Sequence, residues 1–385
     1  MSLRQKIEDE IRQHGPIAFS RYMQLCLYDP ELGYYSRNAE QFGKAGDFYT
    51  SSDVHAVFGR LLARQFDQMW RTLGSPAQIE LLELGPGRGL FARDVLDWCE
   101  KKFSDFLRAL HYTLAESSPA LRDRLQTTLN SHFASGKASL APRLPSSSTE
   151  SPARVNLQRA LTPEIPLLIF ANEFFDALPV EILSTEGSLR IDFRDGHLTE
   201  TWAPASPQEL EFLDRYAVHP EPGERIEVPF LASAYMTAAA QLIQRGFLIA
   251  VDYGYTRDEQ LDGRHRGTLS AFRQHTVTAN PYQAPGEQDI TAHVNFSALA
   301  AAATAQGMTV SKLLTQSQFL MGIGEDNQFS DAFEDSRLPQ EKAKVALQLK
   351  HLVTPAGMGE SFHVLIASRG VDPEAAATLD GLRFA

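Results

Sequence analysis

The sequence has few cysteines and no long apolar run. Its only two cysteines, Cys26 and Cys99, stand alone, with neither metal-ligand spacing nor the numbers for a disulfide framework. A reducing compartment is the natural expectation. No apolar stretch reaches the roughly 20 residues that a membrane span requires, so membrane insertion is not expected. Basic runs are also missing, and the formal net charge is -12. An acidic surface repels a polyphosphate backbone, which disfavours nucleic acid as a partner and leaves small molecules and basic protein segments. The N-terminal MSLRQKIEDEIRQHG mixes acids with bases and has no apolar signal core. Together these features predict a bacterial-type cytoplasmic protein.

What is present is an ordinary globular composition, 43% hydrophobic and 22% charged over 385 residues, enough chain for a sizeable core. Helical spacing of Leu3, Ile7 and Ile11 predicts a helix over 3–13, and another is expected over 54–73. Short apolar strands are predicted at 79–84, 111–115, 166–171, 247–251 and 362–368, with a weaker one at 153–157. Helices at 90–102 and 119–129 alternate with the first of these, the pattern of a parallel α/β sheet. The Ser/Pro/Ala-rich stretch 134–152 reads as a surface loop, 189–202 as a hairpin turning at Asp195-Gly196, and 231–245 as a helix. The resulting organisation is a helical N-terminal cap (1–75), a first core segment (76–185), an inserted hairpin and helix (186–245), and a core completion (246–385). This last part carries a lid or substrate region at about 255–345.

The chemistry concentrates at three places. Glu83-Leu-Gly85-Pro86-Gly87-Arg-Gly89 leaves a strand and opens a helix, where glycine lets backbone approach a ligand. A dinucleotide loop would put its third glycine at position 90, which is Leu; here it falls at Gly89, with an acid two residues before the first glycine. Glu116 ends the next strand, where a carboxylate can take both ribose hydroxyls of an adenosine ligand. Asn172, Glu173, Phe174, Phe175 and Asp176 follow the strand at 166–171, at the carboxyl edge where open α/β sheets bind ligands. Glu173 and Asp176 could clamp one cation such as a guanidinium; the same two acids could instead cap a following helix. No His/Cys/Asp cluster has metal spacing, so no metal is expected.

The loop ELGPGRG resembles the cofactor loop of class I methyltransferases. ANEFFDALPV, VDYG (251–254), GTLSAFRQH (267–275), DITAHVNF (289–296), GMGESFHVL (357–365) and the N-terminal GKAGDFYTSSDVHAVFG (43–59) follow the order seen in the MidA-like family. The chain resembles that family over nearly its whole length. It departs in lacking a Pro at Ser52-Asp53 and a Trp in VNLQRAL (155–161).

The resemblance implies a class I methyltransferase fold: a Rossmann-like, mostly parallel seven-stranded sheet with the helical cap and an inserted α+β subdomain. It implies S-adenosyl-L-methionine as cofactor, S-adenosyl-L-homocysteine as product, and transfer to a protein arginine, for example on a respiratory complex I subunit. Transfer to a small molecule or another side chain, and a non-catalytic cofactor-binding assembly role, stay open; a homodimer is compatible. Carried over by position, Glu83, Gly85, Pro86, Gly87, Gly89, Glu116, Asn172, Phe48 and Thr50 would hold the cofactor. Asn172, Glu173 and Asp176 would serve the transfer, and Tyr253, Arg273 and His293 would face the substrate.

Overall fold

The computed structural model describes residues 1–37, 56–142, 164–273, 276–278 and 280–385. Six strands form the body of the central sheet: β1 (Ile79–Leu84), β2 (Leu110–Ala115), β3 (Ala138–Leu140), β4 (Leu167–Asn172), β5 (Gly246–Tyr255) and β6 (Phe362–Arg369). Their order across the sheet is β6-β5-β4-β1-β2-β3, all parallel except β6, which runs antiparallel to β5. Both faces of these strands are covered, which is why they read as nearly unbroken apolar runs rather than alternating ones. The two-residue strands at Thr309–Val310 and Leu314–Thr315 pair with β6, and Val294–Asn295 with β5. Among the described residues the sheet therefore counts nine strands, three of them two-residue additions, where seven were expected. Its mixed α/β, mostly parallel character is the expected one.

The N-terminal helix α1 (Leu3–His14) starts at a capping box in which Ser2 and Gln5 satisfy each other's backbone amides, and buries Leu3, Ile7 and Ile11. With α2 (Phe19–Tyr28) it packs on a separate five-stranded antiparallel sheet that includes Glu181–Ser184, Gly187–Arg194, His197–Ala203 and Ile226–Val228. The fifth strand is Ile17–Ala18, from between the two helices, paired with Arg190 and Ile191. The cap thus joins a sheet, contrary to its purely helical expectation. It does so because Ile17 buries against the inserted hairpin.

On one face of the central sheet lie α3 (Ala56–Thr72) and α4 (Leu90–Lys102), where Phe91 stacks on Phe170 at 4.4 Å and Phe66 meets the same ring edge-on at 5.7 Å. Truncating a fully buried ring of this kind costs about 3–5 kcal/mol. On the other face lie α5 (Phe230–Leu242) and α6 (Phe296–Ala305). Two further expectations need correction. The stretch 134–152 is not wholly a surface loop: β3 lies within it and pairs with β2 through Tyr112, Thr113 and Leu114. The strand expected at 153–157 lies outside the described residues.

Candidate active site

Four chain segments leave the sheet at the same edge: the loop after β1, Glu116 after β2, the turn after β4, and the end of β5. This convergence follows from the parallel order alone, because β1, β2, β4 and β5 all point their carboxyl ends the same way.

Gly85, Gly87 and Gly89 all have left-handed backbone, with φ of 66°, 53° and 75°. A side chain at Gly85 would lie 2.8 Å from the Phe174 ring, so the loop and the turn after β4 are in contact only because that side chain is missing. A side chain at Gly87 would meet nothing within 4 Å. That position faces open space beside buried Pro86, a cradle of the kind a nucleoside ligand fills. Gly89 then begins α4, whose first backbone amides point toward the loop.

Two carboxylates flank this cradle. Glu83 is buried and accepts from the Tyr112 hydroxyl at 2.8 Å; burial pushes its pKa up to about 8 despite that bond. Glu116 accepts from the Ser118 amide at 2.8 Å, and the amides of Ser117 and Gly87 also favour its ionised form. Burial outweighs them and lifts its pKa to about 7. Ser118 also donates through Oγ to the Tyr35 carbonyl at 2.6 Å, tying the cofactor side to the N-terminal cap.

The turn after β4 carries Asn172, whose Nδ2 donates to Glu173 Oε1 at 3.1 Å while its Oδ1 is buried without a partner among the described residues. Glu173 adopts a left-handed φ of 49°, costing roughly 1 kcal/mol for a residue with a Cβ. Asp176 is 4% exposed and accepts from the Tyr253 hydroxyl at 2.5 Å through Oδ2; its Oδ1 has no partner among the described residues. Burial raises the Asp176 carboxyl to about 6, against the opposing pull of Tyr253. Neither acid caps a helix: among the described residues no helix begins at this turn.

Behind the turn sits Asp252, fully buried on β5. It is held well above the usual carboxylate range by burial, then by the charges of Asp176 and Glu173. Sequence reasoning passed over this residue, although a lone acid closing an apolar run is the same signal that marked Glu116. It also missed Tyr28 and Tyr35 of the cap. Tyr28 donates to the Ala177 carbonyl at 3.0 Å, and the charges nearest it include Asp289, Asp176 and Glu116. Tyr35 donates to Asp289 at 2.8 Å. Only the tertiary fold brings these tyrosines to the site, and no local pattern announces them.

The remaining expected residues fall in different places. Tyr253 is in the site, and the His293 ring meets it edge-on at 5.1 Å. Burial, then the neighbouring His265 and His363, push the His293 pKa down to about 4. Arg273 forms a partly exposed ion pair with Glu287 at 2.6 Å, and no contact ties it to Tyr253 or Asp176. Phe48 and Thr50 lie outside the described residues. Among the described residues, no group of three or more His, Cys, Asp or Glu is arranged to hold a metal ion.

A model of an S-adenosyl-L-methionine-dependent methyltransferase family matches residues 61–314, a span that includes the glycine loop, Glu116, the turn and Asp252. The chain belongs to this family. It is also 30% identical to the mitochondrial protein arginine methyltransferase NDUFAF7 homolog of Drosophila melanogaster, over 96% of this chain and 85% of that protein. It is 29% identical to the human mitochondrial protein arginine methyltransferase NDUFAF7, over 92% and 80% of the two chains. A COG1565 superfamily protein of Burkholderia thailandensis, solved bound to S-adenosyl-homocysteine, shares the fold. Its TM-score is 0.81 at 26% identity, over 100% of this chain and 95% of that one.

The chain is thus a methyltransferase that uses S-adenosyl-L-methionine. The open cradle at Gly87 and the buried carboxylates at Glu83 and Glu116 suit a ligand with an adenosine end and a cationic end. One expectation is overturned: the cytoplasmic placement does not stand, because the curated relatives are mitochondrial proteins. The placement draws on the cysteine usage, the missing apolar run and the composition of the first fifteen residues, most of which the fold accounts for as a packed helix.

Proposed function

We propose that this methyltransferase modifies an arginine side chain of a protein, with a respiratory complex I subunit as the acceptor class. The observation that carries the reading is the pair of buried acceptor oxygens at the turn, Asn172 Oδ1 and Asp176 Oδ1, beside Glu173, which have no hydrogen-bond partner among the described residues. A guanidinium offers five N–H donors in a flat fork and carries the charge that buried carboxylates lack. The names of the curated relatives support arginine as the acceptor.

Glu83, Gly85, Pro86, Gly87, Gly89 and Glu116 would hold the methyl donor, Glu116 taking the ribose hydroxyls, and Asn172 and Glu173 would serve the transfer. When bound, the cofactor supplies an electrophilic methyl on a sulfonium. In the transfer a guanidinium nitrogen gains the N–C bond as the S–C bond breaks, and S-adenosyl-L-homocysteine leaves. The nitrogen then gives up one proton. Asp176 stands to receive it, since its pKa of about 6 leaves it ionised at neutral pH, and Tyr253 holds one of its oxygens in place. Glu173 orients the nitrogen. The cap (1–75) supplies the acceptor wall through Tyr28 and Tyr35, and His293 packs behind Tyr253.

Tritiated methyl transfer into lysate from cells deleted for this gene, followed by acid hydrolysis and mass spectrometry of the labelled residue, tests the acceptor. Methylated arginine supports the reading. Label on another side chain or on a small molecule refutes it.

A further inference from the structure

We infer that Asp252 is a positioning residue for methyl transfer, acting as the bracket that holds the turn carrying Asn172, Glu173 and Asp176. The inference rests on the assignment of that turn to the transfer chemistry, and does not depend on which side chain is the acceptor.

The turn after β4 has little regular structure of its own. It leaves the strand at Asn172, turns sharply at Glu173 with φ of 49°, and enters no helix among the described residues. A left-handed glutamate springs back toward ordinary backbone unless its neighbours fix it. Three contacts do so, all from adjacent residues of β5. The Glu173 amide donates to the Val251 carbonyl at 2.9 Å, extending the β4–β5 ladder by one residue past the strand. The Phe175 and Asp176 amides both donate to Asp252 Oδ2, at 3.0 and 3.3 Å. The other Asp252 oxygen accepts from the Tyr253 amide at 3.0 Å. Tyr253 in turn donates to Asp176.

Asp252 therefore grips the backbone of both the turn and the residue whose hydroxyl holds Asp176. A carboxyl with no exposure is poorly placed to touch a substrate. Among the described residues its hydrogen bonds are to the backbone amides of Tyr253, Phe175 and Asp176, and they fix where the Asp176 side chain and the strained Glu173 point. A short polar acceptor is needed here because the amides it serves lie beyond the reach of the β4–β5 ladder.

The test uses the full-length chain with Asp252→Ala and Asp252→Asn. The Asn variant keeps an acceptor oxygen for the Phe175 and Asp176 amides; the Ala variant keeps none. Three quantities are read: S-adenosyl-L-homocysteine affinity by calorimetry, hydrogen exchange of the peptide spanning 172–178, and tritium transfer to whichever macromolecular fraction the wild type labels.

In Asp252→Ala the exchange should speed up by about tenfold, as loss of the hydrogen bonds to a buried acceptor implies. Transfer should fall by about a hundredfold, the cost of misplaced reacting groups. Cofactor affinity should stay within about twofold, because the glycine loop is untouched. Asp252→Asn should recover at least part of both the exchange protection and the transfer rate. Unchanged exchange or unchanged transfer in folded Asp252→Ala overturns the inference, as does an Asn variant no better than Ala. Should the Ala variant not fold, the Asn variant decides. Near-wild-type exchange and transfer in it uphold the role, and lost transfer with wild-type exchange overturns it. A blank transfer assay for the wild type counts against the enzymatic reading, while the exchange arm still decides whether Asp252 holds the turn.

Discussion

The Tyr253 hydroxyl donates to Asp176 across 2.5 Å, joining the end of β5 to the turn that follows β4. The bond stabilises the ionised form of a carboxyl whose burial pulls the other way. In the free enzyme Asp176 titrates at about 6, so kcat/KM should fall as pH drops through that value and the base becomes protonated. Tyr253→Phe removes the donor, which raises the Asp176 pKa and moves the acid limb to higher pH by about one unit, the worth of one charge-assisted bond. A pH–rate profile of the two proteins checks this. An unmoved limb removes Asp176 as the base.

Glu83 sets a different pH dependence, in stability. Its folded pKa of about 8 lies above the ordinary 4.5. The folded state therefore prefers the protonated acid. The stability this contributes is complete below pH 4.5 and is lost as pH rises through 8. Glu83→Gln keeps the shape and does not titrate, so the cofactor-free variant should gain on the wild type between pH 5 and pH 8. The expected gain is on the order of a few kcal/mol. Melting temperatures of both proteins across that range measure it. A constant difference means Glu83 has an ordinary pKa.

Gly87 is proposed to line the cofactor cradle. In Gly87→Val the new side chain projects into the open space, and the left-handed φ of 53° is strained for valine. Affinity for S-adenosyl-L-homocysteine should fall by more than about tenfold, since strain alone costs roughly 1–2 kcal/mol. Calorimetry on the folded variant checks it, and an unchanged Kd sinks the cradle assignment.

How much of this could be read from the residues alone follows physical lines. The strands at 79–84 and 362–368 were legible because strands buried on both faces are nearly continuous apolar runs. The hairpin at Asp195-Gly196 was legible because both residues take positive φ, 49° and 79°, which that dipeptide favours. Glu116 and the turn at 172–176 were legible because parallel strands deliver their carboxyl ends to one edge. Tyr28, Tyr35 and Asp252 were not singled out. The tyrosines reach the site through packing between distant segments, and Asp252 serves backbone amides whose need for a partner exists only once the turn has formed. β3 was hidden because three residues, Ala138–Leu140, are too few to show periodicity.

The account stands most directly on Glu173. With the cofactor held by the glycine loop and Glu116, and the transfer carried by the turn, Glu173→Ala should separate the two. The decisive measurement is tritium transfer from labelled S-adenosyl-L-methionine by Glu173→Ala, run on protein whose S-adenosyl-L-homocysteine Kd has been matched to the wild type. The expected result is a loss of about 10²–10⁴ in rate, the range for removing a group that orients or deprotonates the acceptor. Wild-type turnover by that variant would contradict the account.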